Sequence, residues 1–147
     1  MQAKLPPFLA PNPLRSPTES AESLADRARP IRVLLLDVDG VLSDGRLYFS
    51  NSGEEMKTFH TLDGQGIRYA QRAGIQVGII TGRESALLSR RCQDLDITIL
   101  HQGVKDKSAV LDALCKELNC ELESIAYMGD DFPDVPVMQR VGLAASV

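Results

Sequence analysis

The chain is poor in the groups that soft-metal, membrane and nucleic-acid functions depend on. It has three cysteines and two histidines in 147 residues. Cys92, Cys115 and Cys120 show no metal-ligand spacing, which argues against a zinc site. An odd number of thiols, with Cys92 and Cys115 at apolar helical positions, fits small buried hydrophobes in a reducing cytoplasm rather than a disulfide framework. No apolar run approaches the ~20 residues needed to span a bilayer. A net charge of −4 without a basic patch argues against a nucleic-acid partner. Pro6, Pro7, Pro11 and Pro13 interrupt the stretch where a secretory leader needs an unbroken apolar region. What is present is ordinary for a soluble globular protein: 44% hydrophobic and 24% charged residues. That length supports one domain with a modest core.

Residues 1 to about 17 are rich in proline and polar residues and read as a disordered lead. Residues 18–28 have the pattern of a short helix ending before Pro30, so residues 1–30 form an N-terminal extension. From Ile31 onward, apolar strands at 32–36, 77–80, 97–100, 125–128 and 143–146 alternate with helical patterns at 65–73, 84–95, 107–118 and 134–140. This predicts an α/β domain over 31–147, a doubly wound parallel sheet with helices on both faces. One segment breaks the alternation. Residues 47–50 and 56–59 flank a glycine-containing turn at 51–55, which predicts a β-hairpin after the first strand. Its apolar residues Leu47, Phe49, Met56 and Phe59 suit burial against a partner or in the chain's own core, and sequence leaves both open.

Polar residues gather where the strands end, the place where open α/β sheets bind ligands. The run Val33–Leu36 leads directly into Asp37-Val38-Asp39-Gly40-Val41. Alternation puts both carboxylates on one side of an ideal strand, and Gly40 lets the backbone leave it in a conformation other residues resist. Carboxylates this close repel unless a cation or shared proton relieves them. The pair suggests a metal-assisted nucleophile with an acid/base partner, although Asp-Gly is also a common turn dipeptide. Val77–Ile80 ends in Thr81-Gly82-Arg83, where a hydroxyl, backbone N–H groups and a helix start suit a phosphate oxygen. An ordinary helix cap at Thr81 fits the same residues. Lys107 opens the helix of Val110, Leu111, Leu114, Cys115 and Leu118, a position where a cation opposes the helix dipole and calls for a local anion. Lys105 competes for that role, and spacing does not choose between them. After Ile125–Met128, Gly129-Asp130-Asp131-Phe132-Pro133-Asp134 sets three carboxylates within five residues. That is a hard-oxygen set of the type magnesium prefers.

Asp37-x-Asp39-Gly40-Val41, Thr81-Gly82, Lys107 and Gly129-Asp130-Asp131-x-x-Asp134 resemble the four motifs of the haloacid dehalogenase-like phosphatases, in that order and approximate spacing. The resemblance covers about residues 31–147. It is closest to one branch, the 3-deoxy-manno-octulosonate 8-phosphate phosphatases of lipopolysaccharide synthesis. Residues 36–45, Phe59-His60 with 63–67, 81–85, and Gly129-Asp130-Asp131 running on to Pro136-Val137-Met138 carry that branch.

The resemblance implies a Rossmann-like domain with no separate cap, whose hairpin helps build a homotetramer in which neighbouring subunits wall the site. It implies Mg2+-dependent hydrolysis of a small sugar-acid phosphate in the cytoplasm. Asp37 would attack phosphorus to form an aspartyl-phosphate. Asp39 would protonate the leaving alkoxide and then deprotonate the hydrolytic water. Thr81 and Lys107 would hold phosphoryl oxygens in a site that Asp39, Gly40, Gly82 and Arg83 also form. The metal would be held by the Asp37 carboxylate, the Asp39 backbone carbonyl and Asp130, with Asp131 supporting metal-bound waters and Asp134 orienting Lys107. Members of the branch continue past Val141-Gly142-Leu143 into another strand, a helix and a Gly/Arg-containing tail. This sequence stops at Val147, so a more open site is expected. A related nonulosonate 9-phosphate is the alternative substrate. A catalytically weak paralogue that binds magnesium and phosphate, or an assembly subunit, is the non-enzyme alternative. A two-component receiver domain would need its acceptor aspartate after a middle strand, where this chain has Thr81.

Overall fold

In the computed structural model the described residues are 23–52 and 55–147. The expected disordered lead and the start of the helix over 18–28 lie outside them, as do Gly53 and Glu54 of the hairpin turn. The order of elements is α1 (Leu24–Ala28), β1 (Val33–Leu36), β2 (Tyr48–Phe49), β3 (Glu55–Met56), α2 (Thr61–Arg72), β4 (Gln76–Ile80), α3 (Ala86–Asp94), β5 (Ile99–His101), α4 (Lys107–Glu117), β6 (Ile125–Met128), α5 (Val135–Met138) and β7 (Leu143–Ala145). Short 3-10 turns at Leu122–Ser124 and Phe132–Asp134 precede β6 and α5.

Five strands form one parallel sheet in the order β5-β4-β1-β6-β7. The chain winds outward from β1 to β5, then returns to the other side of β1 to lay down β6 and β7. The winding direction therefore reverses between β1 and β6, which opens a crevice beyond their C-terminal ends. Successive residues of β1 face opposite layers. Val33 and Leu35 pack with Leu111 and Leu114 of α4 and Val137 of α5. Leu34 and Leu36 pack on the side of Ile67 from α2 and Leu88 and Cys92 from α3. Helices thus cover both faces, as the alternating pattern predicts. Arg27 ties α1 to the domain by donating to the Gly142 carbonyl at 2.9 Å.

Several boundaries differ from the sequence expectation. Helix α2 starts at Thr61 rather than 65, because the His60 ring caps it by accepting from the Leu62 N–H at 3.1 Å. Gly64 and Gly66 weaken the helical pattern there, and Gly64 leaves room for the Arg91 guanidinium, which a Cβ would meet at 2.5 Å. The third sheet strand forms at 99–101 rather than 97–100, although Ile97 is buried. The segment expected as one helix over 134–140 is a 3-10 turn followed by the four-residue α5, with a proline near the start of each. Hairpin strands β2 and β3 are two residues each, pairing Tyr48 with Met56 and Phe49 with Glu55. Of the hairpin's apolar residues, Leu47, Phe49 and Met56 are exposed, whereas Phe59 packs on the chain's own α2/α3 core.

Candidate active site

Asp37 is the first residue beyond β1, and its N–H still bonds the Met128 carbonyl at 2.9 Å. The ladder with β6 therefore fixes its backbone. The chain then turns sharply, with the N–H groups of Val41, Leu42 and Ser43 all within 3.2 Å of the Val38 carbonyl. Gly40 sits in this turn at φ +92°, and a Cβ there would fall 1.9 Å from Asp130 Oδ2. Only glycine lets the β1 and β6 loops approach this closely. Gly129 likewise makes room for a carboxylate, since a Cβ there would meet Asp134 Cγ at 2.4 Å.

Lys107, Leu111 and Leu114 form one buried stripe on α4, at helical spacing. Asp106 caps the helix by accepting from the Ala109 N–H at 3.1 Å. The first residue of α4 is thereby directed inward at the crevice. The Lys107 ammonium donates to Asp134 Oδ1 at 2.6 Å and to Tyr127 Oη at 3.3 Å, and lies 3.0 Å from Asp37 Oδ1. Tyr127 Oη donates to the same Asp134 oxygen at 2.6 Å. Asp134 Oδ2 accepts the N–H groups of Asp130 and Asp131 at 3.1 and 3.2 Å. Both oxygens of Asp134 are committed to positioning its neighbours. Lys105, by contrast, is exposed at the rim.

The electrostatics follow from this asymmetry. Burial raises the pKa of Asp37, and Lys107 only partly offsets it. Burial also raises Asp130, with the Asp134 and Asp131 charges adding to the effect. Burial pushes Asp134 upward too, but hydrogen bonds from Lys107 and Tyr127 outweigh it and hold that carboxyl below its usual range. Tyr127 is pushed far up by burial and by its bond to Asp134, so it remains a neutral donor. Asp37 Oδ1 is buried without an aligned hydrogen-bond donor. Oxygens of Asp37, Asp130 and Asp134 all lie within 4.8 Å of one another. With Asp134 already engaged, Asp37 and Asp130 have lone pairs to offer. A hard divalent cation fits this all-oxygen, charge-strained set.

On the other side of the crevice, Asp39 Oδ1 accepts from Lys57 Nζ at 2.7 Å and Ser43 Oγ at 3.4 Å. Arg83 Nε lies 3.7 Å from Asp39 Oδ2. Thr81 is buried at the end of β4, its N–H on the His101 carbonyl at 2.9 Å and its carbonyl accepting from Val104 N–H at 3.0 Å. The Gln102 side chain braces the loop that follows, accepting from Ser85 N–H at 2.7 Å and donating to Ser89 Oγ at 2.8 Å. Between these groups lies a cavity of about 360 Å³. Asp37, Asp39, Thr81, Gly82, Arg83, Lys107, Asp130, Asp131 and Asp134 all line it, while Gly40 lies against Asp130. A larger groove of about 570 Å³ along α2, β4 and β5, near Arg68 and Asp96, gathers no comparable set of carboxylates. Three residues of the site escape the sequence reading. Tyr127 carries a polar tip inside an apolar strand, a detectable signal. Lys57 is the basic residue on the hairpin's return arm, and Gln102 has no local signature.

No family model matches the chain. The 3-deoxy-D-manno-octulosonate 8-phosphate phosphatase KdsC of Escherichia coli K12 is 49% identical over 128 residues, 87% of this chain and 68% of that protein. The crystal structure of the phosphatase of the same name from Yersinia pestis superposes with a TM-score of 0.80 at 49% identity, over 82% of this chain and 65% of that one. The Moraxella catarrhalis phosphatase, solved with a magnesium ion, a phosphate ion and KDO, gives a TM-score of 0.80 at 41% identity, over 82% of this chain and 69% of that one. The chain spans about two thirds of the length of these relatives. With this identity over most of its length, on the sheet order and strand-end residues just described, the chain belongs to the 3-deoxy-D-manno-octulosonate 8-phosphate phosphatase family of haloacid dehalogenase-like hydrolases.

Proposed function

We propose that the protein is a magnesium-dependent phosphomonoesterase that hydrolyses 3-deoxy-D-manno-octulosonate 8-phosphate to the free sugar acid and phosphate, in lipopolysaccharide precursor synthesis in the cytoplasm. The observation that carries this reading is the buried Lys107, held by Asp134 and Tyr127 and aimed at Asp37 beside Thr81. A fixed ammonium next to a carboxylate with an unengaged oxygen suits the binding of a phosphoryl group and attack upon it. The metal and phosphate in the Moraxella relative support the same reading. Among the described residues no helix is long and apolar enough to cross a membrane.

Asp37 attacks phosphorus in line, giving an aspartyl-phosphate as the ester oxygen leaves. Asp39 gives its proton to that oxygen and later takes one from the attacking water. Lys107 and the Thr81 hydroxyl hold phosphoryl oxygens, Gly82 and Arg83 complete that pocket, and Asp134 keeps Lys107 in place. Magnesium, when bound by Asp37, Asp130 and the Asp39 carbonyl with Asp131 nearby, supplies neutralising charge for the phosphoryl group. Residues 31–147 act as one phosphatase domain behind the N-terminal extension, assembled as a homotetramer through the exposed hairpin.

Phosphate release with magnesium is the test, using octulosonate 8-phosphate, a nonulosonate 9-phosphate and common hexose phosphates. The expected result is the highest kcat/KM on the octulosonate ester. Preference for the nonulosonate would reassign the substrate, and release from none of them would leave a protein that binds without turnover.

A further inference from the structure

Lys57 lies just past β3 on the hairpin's return arm, between exposed Met56 and Phe59, which packs on the α2/α3 core. Lysine is almost always solvated, yet this side chain is only 4% exposed and its ammonium sits 2.7 Å from Asp39 Oδ1. The Ser43 hydroxyl lies 3.4 Å from that same oxygen and 3.3 Å from the Val38 carbonyl, which compete for its one proton. The ammonium is thus the principal donor to Oδ1. Oδ2 has Arg83 Nε at 3.7 Å, beyond hydrogen-bonding distance. A carboxylate gripped by one oxygen through a buried ammonium cannot turn freely about its Cβ–Cγ bond. Its other oxygen takes no hydrogen bond within 3.5 Å from the described residues.

We propose that Lys57 is a positioning residue for proton transfer: it pins Asp39 Oδ1 so that Oδ2 meets the departing ester oxygen. This rests on the phosphomonoesterase reading above. As the ester P–O bond breaks and the Asp37 oxygen bonds to phosphorus, the proton on Oδ2 passes to the alkoxide. When water attacks, its oxygen bonds to phosphorus, its proton goes to Oδ2 and the bond from phosphorus to Asp37 breaks. The orientation of the acid is thus set by the hairpin, a separate element from the loop that carries Asp39.

The test is Lys57→Met and Lys57→Arg in the full chain with magnesium, on octulosonate 8-phosphate and on 4-nitrophenyl phosphate. The aryl leaving group departs without a proton, so it should not need the acid. Lys57→Met is expected to lower kcat on the sugar phosphate about 100-fold, the lower end of what general acid catalysis contributes. KM should stay within about threefold and the aryl ester should lose less than about fivefold, since neither depends on proton delivery. Lys57→Arg should recover part of the loss on the sugar phosphate, because it restores a cation on Oδ1. Equal losses on both esters would overturn the proposal, as would an unchanged kcat with a raised KM, which would make Lys57 a substrate contact. If Lys57→Met does not fold, Lys57→Gln is read in the same way. Wild-type protein that cleaves neither ester defeats the phosphatase reading itself, whereas active wild type without the split defeats only the role of Lys57.

Discussion

Asp37 and Asp134 flank the same ammonium, 3.0 and 2.6 Å from Lys107 Nζ, but they affect stability with opposite signs. The Asp37 carboxyl is raised by burial, so its ionised form costs stability at neutral pH, a cost that is absent below the ordinary carboxylate range. Asp37→Asn should therefore raise the Tm of the magnesium-free protein at pH 7, with the gain shrinking as pH falls. The same variant should lose phosphate release by roughly 10³-fold or more, as removal of a nucleophile does. A lower Tm, or substantial residual turnover, would contradict these expectations. Asp134 is held below its usual range despite its burial, so its contribution is present above the unfolded value and is lost as pH falls through the folded one. Asp134→Ala takes the nearer of two carboxylates from a buried lysine and the acceptor from the Tyr127 hydroxyl, and should cost roughly 3–5 kcal/mol in denaturant unfolding. Gly40→Ala sets a methyl against the Asp130 carboxylate. It should weaken magnesium binding by about 10–100-fold, the range typical for disturbing a ligand's support, as read by calorimetric titration.

At the scale of elements, the hairpin exposes apolar residues on both of its faces. Leu47, Phe49 and Met56 are 49%, 64% and 66% exposed, and Phe49, opposite Glu55, and Met56, opposite Tyr48, point to different sides, so the proposed assembly would have to cover both. Light scattering should show an oligomer at micromolar concentration that Phe49→Ser with Met56→Ser reduces to smaller species. A monomeric parent protein would remove the hairpin's assembly role. The elements most legible in the sequence are those where burial alone sets the pattern. Val33–Leu36, Val77–Ile80 and Ile125–Met128 are apolar runs between two helical layers, and each is a central strand. Asp37, Asp39, Thr81 and Asp130 are legible for a related reason, since polar groups directly after such runs must lie at one edge of the sheet, whereas Lys107 is legible as the first residue of a helix. Long-range approach is what local pattern does not carry. Gly64 and Gly66 obscure the first turn of α2, where Gly64 serves Arg91 rather than the helix. Lys57 reads as a surface residue until the hairpin folds back and brings it to Asp39. Gln102 acquires its role only through Ser85 and Ser89.

For the molecule as a whole, the proposed reaction carries an ion requirement that can be tested. Activity should vanish in excess chelator, return with magnesium and be inhibited by calcium. Calcium takes more oxygens at ~2.3–2.6 Å rather than the ~2.0–2.1 Å of magnesium, and would tie up the second oxygen of Asp37. Undiminished turnover in chelator would remove the metal from the reaction. The position of β1 at the centre of the sheet also sets a timetable. One of its edges is closed by residues 76–80, but the other stays open until residues 125–128 are in place. Pairings so distant in sequence form slowly, because the intervening chain must first be brought together. On a chain emerging from the ribosome, the segment bearing Asp37 is exposed on one side until residues 125–128 have been made, open to wrong strand partners. The docking of β6 ends that exposure and, in the same movement, carries Asp130 and Asp134 to Asp37. Recovery of catalysis during refolding would therefore time that long-range step of folding itself.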